Sequence, residues 1–299
     1  MIACFDIGGS AIRYAPFEDR LGVPGSVPTP TNDFAAFVAA LTGLIGATAP
    51  AGVAISLSGV VDPADGRLQC ANIPCLHGRA AAADLEAALG VPVWIANDAD
   101  CFALAEARVG AGRGHANVFG IILGTGVGGG LVLDGRLLSG AGGFAGEWGH
   151  GPAAASFAGT PPVAIPAFPC GCGQTGCLDT VGGARGMERL HHLLHGQSLA
   201  STHIVANWLA GDIDAARTIA VYVDLLAGPL AMLVNTIGAN VVPVGGGLSK
   251  CAPLIALLDT AVRARMLRRL DTPLLVPGTA GAEPGLLGAA WFGAEQLLP

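Results

Sequence analysis

The strongest chemical signal in the chain is a cluster of closely spaced cysteines. Cys170, Cys172 and Cys177 lie in the segment CGCGQTGC, whose glycines allow the backbone to turn tightly. Three thiolates directed at one point, together with one imidazole, make the Cys3His ligand set of a closed, structural zinc site. The chain has seven histidines, and the cysteine spacing alone does not select one of them. The cluster therefore predicts a zinc ion, with buried thiols or a disulfide as the alternatives.

The N-terminus bears on the choice between zinc and a disulfide. Acidic Asp6 occurs within the strand-like segment ACFDIGG, and no basic region of an export signal precedes it. We therefore expect a cytoplasmic, reducing environment, in which disulfides are rare. This expectation favours zinc. The cysteines outside the cluster are interpreted as small core residues: Cys4, Cys70, Cys75, Cys101 and Cys251.

A carboxylate follows the apolar segment 91–96. Asn97 and Asp98 come directly after it and precede a helical pattern that runs to about Val109. Asn or Asp at this place can cap the helix by accepting hydrogen bonds from its first amides. A carboxylate at the end of a strand can also act as a general base toward a substrate hydroxyl. Asp98 is therefore the candidate base, with helix capping as the alternative, and the two roles are compatible.

Three turns of small residues follow predicted strands. Glycine permits close approach of the backbone, so that consecutive amides can point at an anion. Asp6, beside the first turn, would suit Mg²⁺ or its water shell. Each turn alone is equally well explained as a hairpin or a helix–sheet contact, but three together predict a phosphate site. In chain order the turns are Gly8-Gly9-Ser10, Gly124-Thr125-Gly126 and Gly245-Gly246-Gly247.

Two common nucleotide-binding patterns are excluded. The segment GTGVGG from Gly124 matches the dinucleotide fingerprint G-x-G-x-x-G. That fingerprint requires a helix after the glycines, whereas LVLDG at 131–135 is typical of a strand and a turn. A Walker-type loop requires a lysine after its glycine, and the only lysine in the chain is Lys250. Backbone amides, hydroxyls and a metal ion must therefore hold any phosphates.

The order of the predicted elements indicates an α/β protein. Each half begins with an apolar strand, a turn of small residues and a returning strand, which favours two domains of related design. We predict a domain at 1–115, a larger domain at 116–284 that carries the zinc insert, and a final helix at 285–299 that packs back on the first domain. Helices are predicted at 34–46, 80–89, 97–109, 181–194, 202–209, 212–237, 253–269 and 285–298.

Composition and charge limit the classes of partner. Hydrophobic residues make up 52% of the chain and charged residues 12%, so a membrane protein has to be considered. No stretch of about 18 predominantly apolar residues is free of helix breakers, and no membrane span is expected. The net charge of −7, without a basic run, disfavours nucleic-acid binding. The expected ligands are small molecules.

Taken together, the motifs resemble those of the ROK-family sugar kinases. The resemblance covers effectively the whole chain, and GEWGH with CGCGQTGC is its most specific part. Within the family the chain resembles the bacterial N-acetylglucosamine kinases, in part through the long insert between His150 and Cys170. The resemblance implies two actin-like (ribonuclease H-like) domains of ASKHA architecture with a cleft between them, in a homodimer. In order, the motifs are DIGGS, NDADCFALAEA, LGTGVGGGLVLDG, GEWGH, CGCGQTGCLD and VPVGGGLS.

The resemblance also implies roles for individual residues. MgATP would phosphorylate the 6-hydroxyl of a sugar, with Asp98 as the general base. His150 would complete the zinc site with Cys170, Cys172 and Cys177, and would touch the sugar as well. Sugar contacts would come from Asn97, Asp98, Glu147, His150 and Asp179. Contacts to the ATP phosphates would come from Gly8, Gly9, Ser10, Gly124, Thr125 and Gly126, with Asp6 near the metal, and contacts to the adenosine from Gly245 and Gly246.

Two positions depart from the family pattern. Asp179 stands where the family usually has Glu, and its shorter side chain weakens the expectation of a contact at the anomeric end of the sugar. Ser10 replaces Thr and keeps the hydroxyl.

The sequence leaves several functions open. The expected activity is phosphorylation of N-acetylglucosamine or a related hexose, and the nearest alternative is the same chemistry on glucose, fructose, mannose or N-acetylmannosamine. A second alternative is a sugar-sensing ROK repressor, which needs a helix-turn-helix arm, whereas the first strand here is predicted from about Ile2. A third is a non-catalytic, zinc-braced binding protein. The Asn97-Asp98 pair and the three glycine turns favour an enzyme.

Overall fold

The computed structural model describes residues 1–62, 64–70, 72–140 and 143–297. The chain forms two compact units. The first comprises Met1–Arg113, Gly130–Ala145 and Ala280–Pro299, and the second comprises Gly114–Gly129 and Gly146–Thr279.

Strands and helices alternate along much of the chain, as expected for an α/β protein. In chain order the strands are β1 (Ile2–Ile7), β2 (Ala11–Phe17), β3 (Gly25–Pro28), β4 (Val53–Leu57), β5 (Val60–Val61), β6 (Leu68–Gln69), β7 (Val93–Asn97), β8 (Asn117–Leu123), β9 (Val127–Leu133), β10 (Arg136–Leu137), β11 (Phe157–Ala158), β12 (Val163–Ala164), β13 (Val242–Gly245) and β14 (Leu275–Pro277). The helices are α1 (Phe34–Ile45), α2 (Ala81–Leu89), α3 (Asp98–Val109), α4 (Asp179–Gly182), α5 (Ala184–His195), α6 (Ser201–Leu209), α7 (Ile213–Ile237), α8 (Ala252–Arg263) and α9 (Pro284–Gln296).

The first unit is built on a five-stranded sheet with the order β3-β2-β1-β4-β7. β1 pairs antiparallel with β2 and parallel with β4, which in turn pairs parallel with β7. Successive side chains of a strand point to opposite faces. Ala3, Phe5 and Ile7 accordingly join the core beneath α1 and α2, whereas Ile2 and Cys4 join a second core with α9. Burial on both faces explains the apolar run at 2–5 in β1.

The second five-stranded sheet has the order β10-β9-β8-β13-β14. β13 lies parallel to both β8 and β14, and β9 follows the glycine turn after β8 as a strand, not as a helix. The rejected dinucleotide fingerprint is therefore indeed absent at this turn.

Helix α7 is the one helix in the described residues that is long and apolar enough to cross a membrane by length and composition. Within the protein, 61% of its most apolar 18-residue window is buried, and it packs against α5, α6 and α8. This burial is typical of a core helix. The helix continues through Pro229, although proline removes one helical hydrogen bond.

Two predicted helices differ from the structure. The helix predicted at 253–269 ends at Arg263, because the following turn is held by Arg263 Nη1, which donates to Leu270 O over 2.9 Å, and by Leu267 N, which donates to Asn235 Oδ1 over 3.0 Å. The helix predicted at 181–194 is divided by Gly183, whose backbone is extended at φ −93° and ψ −174°. A side chain at Gly183 would lie 2.5 Å from Gly126 Cα. Both helix ends depend on contacts with residues distant in the sequence, which local helix propensity does not reflect.

Candidate active site and zinc site

Asn97 and Asp98 lie where β7 ends and α3 begins. The Ala99 amide donates to both side chains, to Asn97 Oδ1 over 2.8 Å and to Asp98 Oδ1 over 2.9 Å. Asn97 Nδ2 donates to Gly59 O over 3.1 Å, which fixes the orientation of the Asn97 amide. Asn97 is thus the N-cap residue of α3, and the cap does not require the Asp98 carboxylate.

The first glycine turn joins β1 to β2. Gly8 N donates to Ala11 O over 3.0 Å, and Gly8, Gly9 and Ser10 are exposed. Asp6 precedes the turn, where its Oδ1 accepts from Ser56 Oγ over 3.0 Å. Burial raises the pKa of Asp6, and the Ser56 hydrogen bond and the nearby Arg13 oppose this rise. The turn therefore presents exposed backbone next to a partly shielded carboxylate.

The other two glycine turns lie side by side in the second unit. Gly246 has a positive φ of 85°, which glycine adopts without strain. A side chain there would lie 2.5 Å from Leu123 O and 2.7 Å from Gly124 N. The turn after β13 is thereby in direct contact with the turn after β8. The structure thus brings Gly246 against Gly124, while nucleotide binding by these turns stays a prediction.

Trp148, to which the sequence assigned no role, braces the strand after the second turn. Its indole is 8% exposed, and Nε1 donates to Gly128 O over 2.9 Å. The ring packs edge-on against Phe119 with the centroids 6.1 Å apart. The tryptophan within GEWGH could have indicated this structural role, because a buried indole N–H requires a hydrogen-bond acceptor.

The four residues named as zinc ligands converge on one point. The candidate ligand atoms of His150, Cys170, Cys172 and Cys177 all lie within 4.8 Å of one another. His150 Nδ1 is 3.6 Å from Cys170 Sγ, and Cys172 Sγ is 3.6 Å from Cys177 Sγ. Ligand atoms around a tetrahedral zinc ion, with Zn–S near 2.3 Å and Zn–N near 2.0 Å, are about 3.6–3.8 Å apart. The donor set and its spacing therefore fit zinc, and the cysteines are all free of disulfides.

The thiols of the cluster differ in acidity. A hydrogen bond from the Gln174 backbone lowers the pKa of Cys172 to about 7, whereas burial raises that of Cys170 to about 11. Zinc binds the thiolate form of cysteine. Of these two cysteines, Cys172 accordingly loses its proton more readily.

His150 connects the cysteine cluster to Glu147. Its Nδ1 faces the cluster, and its Nε2 lies 3.8 Å from Glu147 Oε2. Burial raises the pKa of the Glu147 carboxyl, with His150 acting against this rise and Asp179 adding to it. A hydrogen bond or ion pair on one ring nitrogen fixes how the other nitrogen meets a metal. The imidazole thus lies between the cysteine cluster and Glu147.

Asp179 begins α4, two residues after Cys177. Its Oδ1 accepts from Val127 N over 2.7 Å, and its own backbone amide donates to Gly149 O over 2.8 Å. The side chain therefore contacts the backbone of the turn after β8. The contact with a sugar that the resemblance implies stays a prediction.

The chain is similar over nearly its whole length to a known protein family and to several of its members. The model of the ROK family matches residues 2–296. The chain is 39% identical to the N-acetylgalactosamine kinase AgaK of Shewanella sp. (strain ANA-3), over 96% of this chain and 95% of that protein. It is 36% identical to the N-acetyl-D-glucosamine kinase of Photobacterium profundum, over 98% of this chain and 99% of that protein.

The fold is also similar to that of a solved structure. The ROK hexokinase of Thermus thermophilus has a TM-score of 0.84 and 29% identity, with 99% of each chain covered. The predicted actin-like fold class is confirmed by this likeness and by the mixed sheets of the present structure.

Proposed function

This chain belongs to the ROK family, and we propose that it is an ATP-dependent kinase that phosphorylates N-acetylglucosamine, or a closely related hexose, at the 6-hydroxyl. The observation that carries the proposal is the start of α3. Asn97 caps the helix through Ala99 N, so the adjacent carboxylate of Asp98 can serve chemistry without loss of the cap.

In the proposed reaction, Asp98 is the group that accepts the proton. The carboxylate accepts the proton of the sugar 6-hydroxyl while that oxygen attacks the γ-phosphorus of ATP. The bond from the γ-phosphorus to the bridging oxygen breaks, and ADP leaves with the electron pair. The products are ADP and the sugar 6-phosphate, and the rest of the protein contributes positioning and charge stabilisation.

The remaining sugar contacts are assigned to residues of each unit. In the first unit, Asn97 is held by Gly59 O, so its amide is oriented before a sugar arrives. In the second, Glu147 and His150 form a polar pair beside the cysteine cluster. Carboxylate and imidazole groups suit the hydroxyls of a hexose, because each can accept a hydrogen bond.

The phosphates of ATP are assigned to glycine turns in each unit. Gly8, Gly9 and Ser10 supply exposed backbone and a hydroxyl, and Gly124, Thr125 and Gly126 supply the second turn. The turn at Gly245 and Gly246 touches the second turn, and we assign the adenosine to it. Since the only lysine is Lys250, main-chain amides carry most of the anion binding.

Two metal ions complete the proposal. Magnesium, bound with ATP, neutralises charge on the transferred phosphoryl group, and Asp6 is the residue that would hold it or its water shell. Zinc would be held by His150, Cys170, Cys172 and Cys177, where four protein ligands leave no open position for chemistry. Its role is to fix the orientation of His150.

The identity of the sugar is tested by a coupled-enzyme screen with MgATP. We expect the highest kcat/KM with N-acetylglucosamine among N-acetylglucosamine, N-acetylgalactosamine, N-acetylmannosamine, glucose, fructose and mannose. The 39% identity to an N-acetylgalactosamine kinase makes that sugar the second candidate. A preference for a sugar without an acetamido group would refute N-acetylglucosamine as the main substrate and favour the related hexose, and no turnover with any hexose would refute the kinase itself.

The catalytic role is tested by Asp98→Asn. We expect turnover to fall by about 10²–10⁴, because a general base is lost, while sugar binding measured by calorimetry falls only modestly. Folding should be unchanged, since Asn97 still caps α3. Asp84→Asn, a carboxylate in the first turn of α2, is the matched control and should retain wild-type turnover. If Asp98→Asn turns over at the wild-type rate, Asp98 is not the base; if the variant unfolds, Asp98 serves mainly to cap α3.

We further propose that the protein is a cytoplasmic homodimer, as the family resemblance implies. Two exposed apolar side chains in the second unit support the dimer. Met232 is 62% exposed and Leu267 is 91% exposed, and Leu267 N donates to the side chain of Asn235, three residues after Met232. A second copy of the chain would remove both from water.

A further inference from the structure

Asp179 contacts the phosphate turn, which is the name used here for residues 124–127. Its Oδ1 accepts from Val127 N over 2.7 Å. The same oxygen lies 2.2 Å from the place where a Cβ on Gly126 would stand. The carboxylate therefore rests directly on the phosphate turn and occupies the space that a side chain at Gly126 would need.

Helix α5 holds the same turn from its carbonyl side. Ala184 N donates to Gly124 O over 2.8 Å, and Arg185 N donates to Thr125 O over 3.3 Å. These are the first amides of α5, which have no acceptor within the helix. The helix thus holds two carbonyl oxygens of the phosphate turn, and Asp179 holds the amide of Val127. Together they determine which way the remaining amides point.

Asp179 also links the phosphate turn to the cysteine cluster. It follows Cys177 by two residues, and its amide donates to Gly149 O, the carbonyl that precedes His150. Any displacement of this segment moves the acceptor of Val127 N. A glutamate at 179 would place its carboxylate one bond further from the backbone, so the shorter aspartate matches the distance to the turn.

We propose that Asp179 is a positioning residue for nucleotide binding, which acts by holding the Val127 amide and so fixing the phosphate turn. The proposal rests on the proposed function, in which this turn binds the ATP phosphates. It differs from the role in sugar binding that the family resemblance implies, and the two make opposite predictions for the two substrates.

The first test compares Asp179→Ala with Asp179→Asn. Asparagine can still accept from Val127 N through Oδ1, whereas alanine cannot. Loss of a hydrogen bond to a charged group typically costs enough for about a tenfold change in an equilibrium constant. We expect Asp179→Ala to raise the KM for ATP and the Kd for a non-hydrolysable ATP analogue about three- to tenfold. Asp179→Asn should stay within about twofold of wild type in both.

A matched control removes the same kind of bond elsewhere. Asp33 Oδ1 accepts from Ala36 N at the start of α1, and Asp33→Ala should leave analogue binding unchanged. A direct sugar contact by Asp179 predicts the reverse of our expectation: both Asp179 variants would raise the KM for the sugar and leave the Kd of the analogue at the wild-type value. That result overturns the proposal even though the kinase remains active.

A second test uses Gly126→Ala, whose methyl group would displace the Asp179 carboxylate because the side chain can move and the backbone cannot. If the loss of the Val127 contact is the cause, the effects of Gly126→Ala and Asp179→Ala on analogue binding should be strongly non-additive in the double variant. Additive effects would mean that the methyl group blocks ATP by itself, and the proposal would fail. A wild-type protein inactive on every sugar would instead refute the proposed function.

Discussion

Gly288 in α9 lies against the backbone of α3, and Gly288→Ala tests how tightly the C-terminal helix is fitted. A Cβ at this position would stand 1.9 Å from Cys101 O, 2.3 Å from Cys101 C and 2.4 Å from Cys101 Cα. All three atoms belong to the backbone of a helix, so no side-chain rotation relieves the contact. Cys101 also lies in the core that contains Leu286, Ala289 and Ala290.

The cost follows from the displacement that is required. Carbon atoms in contact lie about 3.5–4.0 Å apart, so the two helices would have to separate by about 1.5 Å. Overpacking of a core typically costs about 1–3 kcal/mol, and the rigid backbone places this site near the upper value. Alanine returns about 1 kcal/mol through its helix propensity. We expect a net loss of about 2 kcal/mol, which lowers Tm by roughly 4–8 °C.

Thermal unfolding followed by circular dichroism measures this loss, with Gly43→Ala as the matched control. Gly43 lies in α1, and a Cβ there would meet nothing within 4 Å. Gly43→Ala should therefore raise Tm slightly. Turnover should fall in Gly288→Ala, since Cys101 lies one turn after Asp98 in α3. A Tm for Gly288→Ala equal to or above that of Gly43→Ala would refute the packing argument.

Two further predictions concern the second unit. Elemental analysis should find about one zinc per chain in the wild type and in Cys251→Ser but little in Cys172→Ser; active, zinc-free protein would contradict the assignment. Burial lowers the pKa of His191 from 6.5, with His195 adding to this effect. The folded state therefore binds this proton more weakly than the unfolded state, and the free energy of unfolding should decrease as pH falls below about 6.5. His191→Gln should reduce this pH dependence in denaturant titrations, and an unchanged slope would show that other groups cause it.

Helix positions followed closely from local signals in the sequence. The helix predicted at 34–46 is observed at Phe34–Ile45, and the helix predicted at 212–237 is observed at Ile213–Ile237. In both cases an aspartate caps the first turn: Asp33 accepts from Ala36 N, and Asp212 accepts from Ala215 N. A cap and the apolar periodicity after it lie within a few residues of each other, so the sequence displays both.

Elements that depend on distant partners were not predicted. The short strand β14 follows Leu274, and the amides of Leu274 and Leu275 donate to Asp259 Oδ1 over 2.8 and 3.0 Å. Asp259 is a buried residue of α8, and it precedes these strand residues by more than a dozen positions. Glu106 acts in the same way in the first unit, where it accepts from Ala111 N and from Ala280 N. Nothing local distinguishes such a carboxylate from a solvated one before the fold is known.

The sequence predicted the candidate site as separate motifs. In the second unit, the structure shows hydrogen bonds that connect these motifs. The turn at 124–127 has one internal backbone hydrogen bond, from Gly124 N to Gly126 O over 3.1 Å, so groups from outside also have to fix its shape. Here Trp148 holds Gly128 O and Asp179 holds Val127 N. Trp148 lies two residues before His150, and Asp179 lies two residues after Cys177, so both supports are attached to candidate zinc ligands. A change at the candidate metal site is therefore expected to reach residues 127 and 128, at the start of β9, through these two hydrogen bonds.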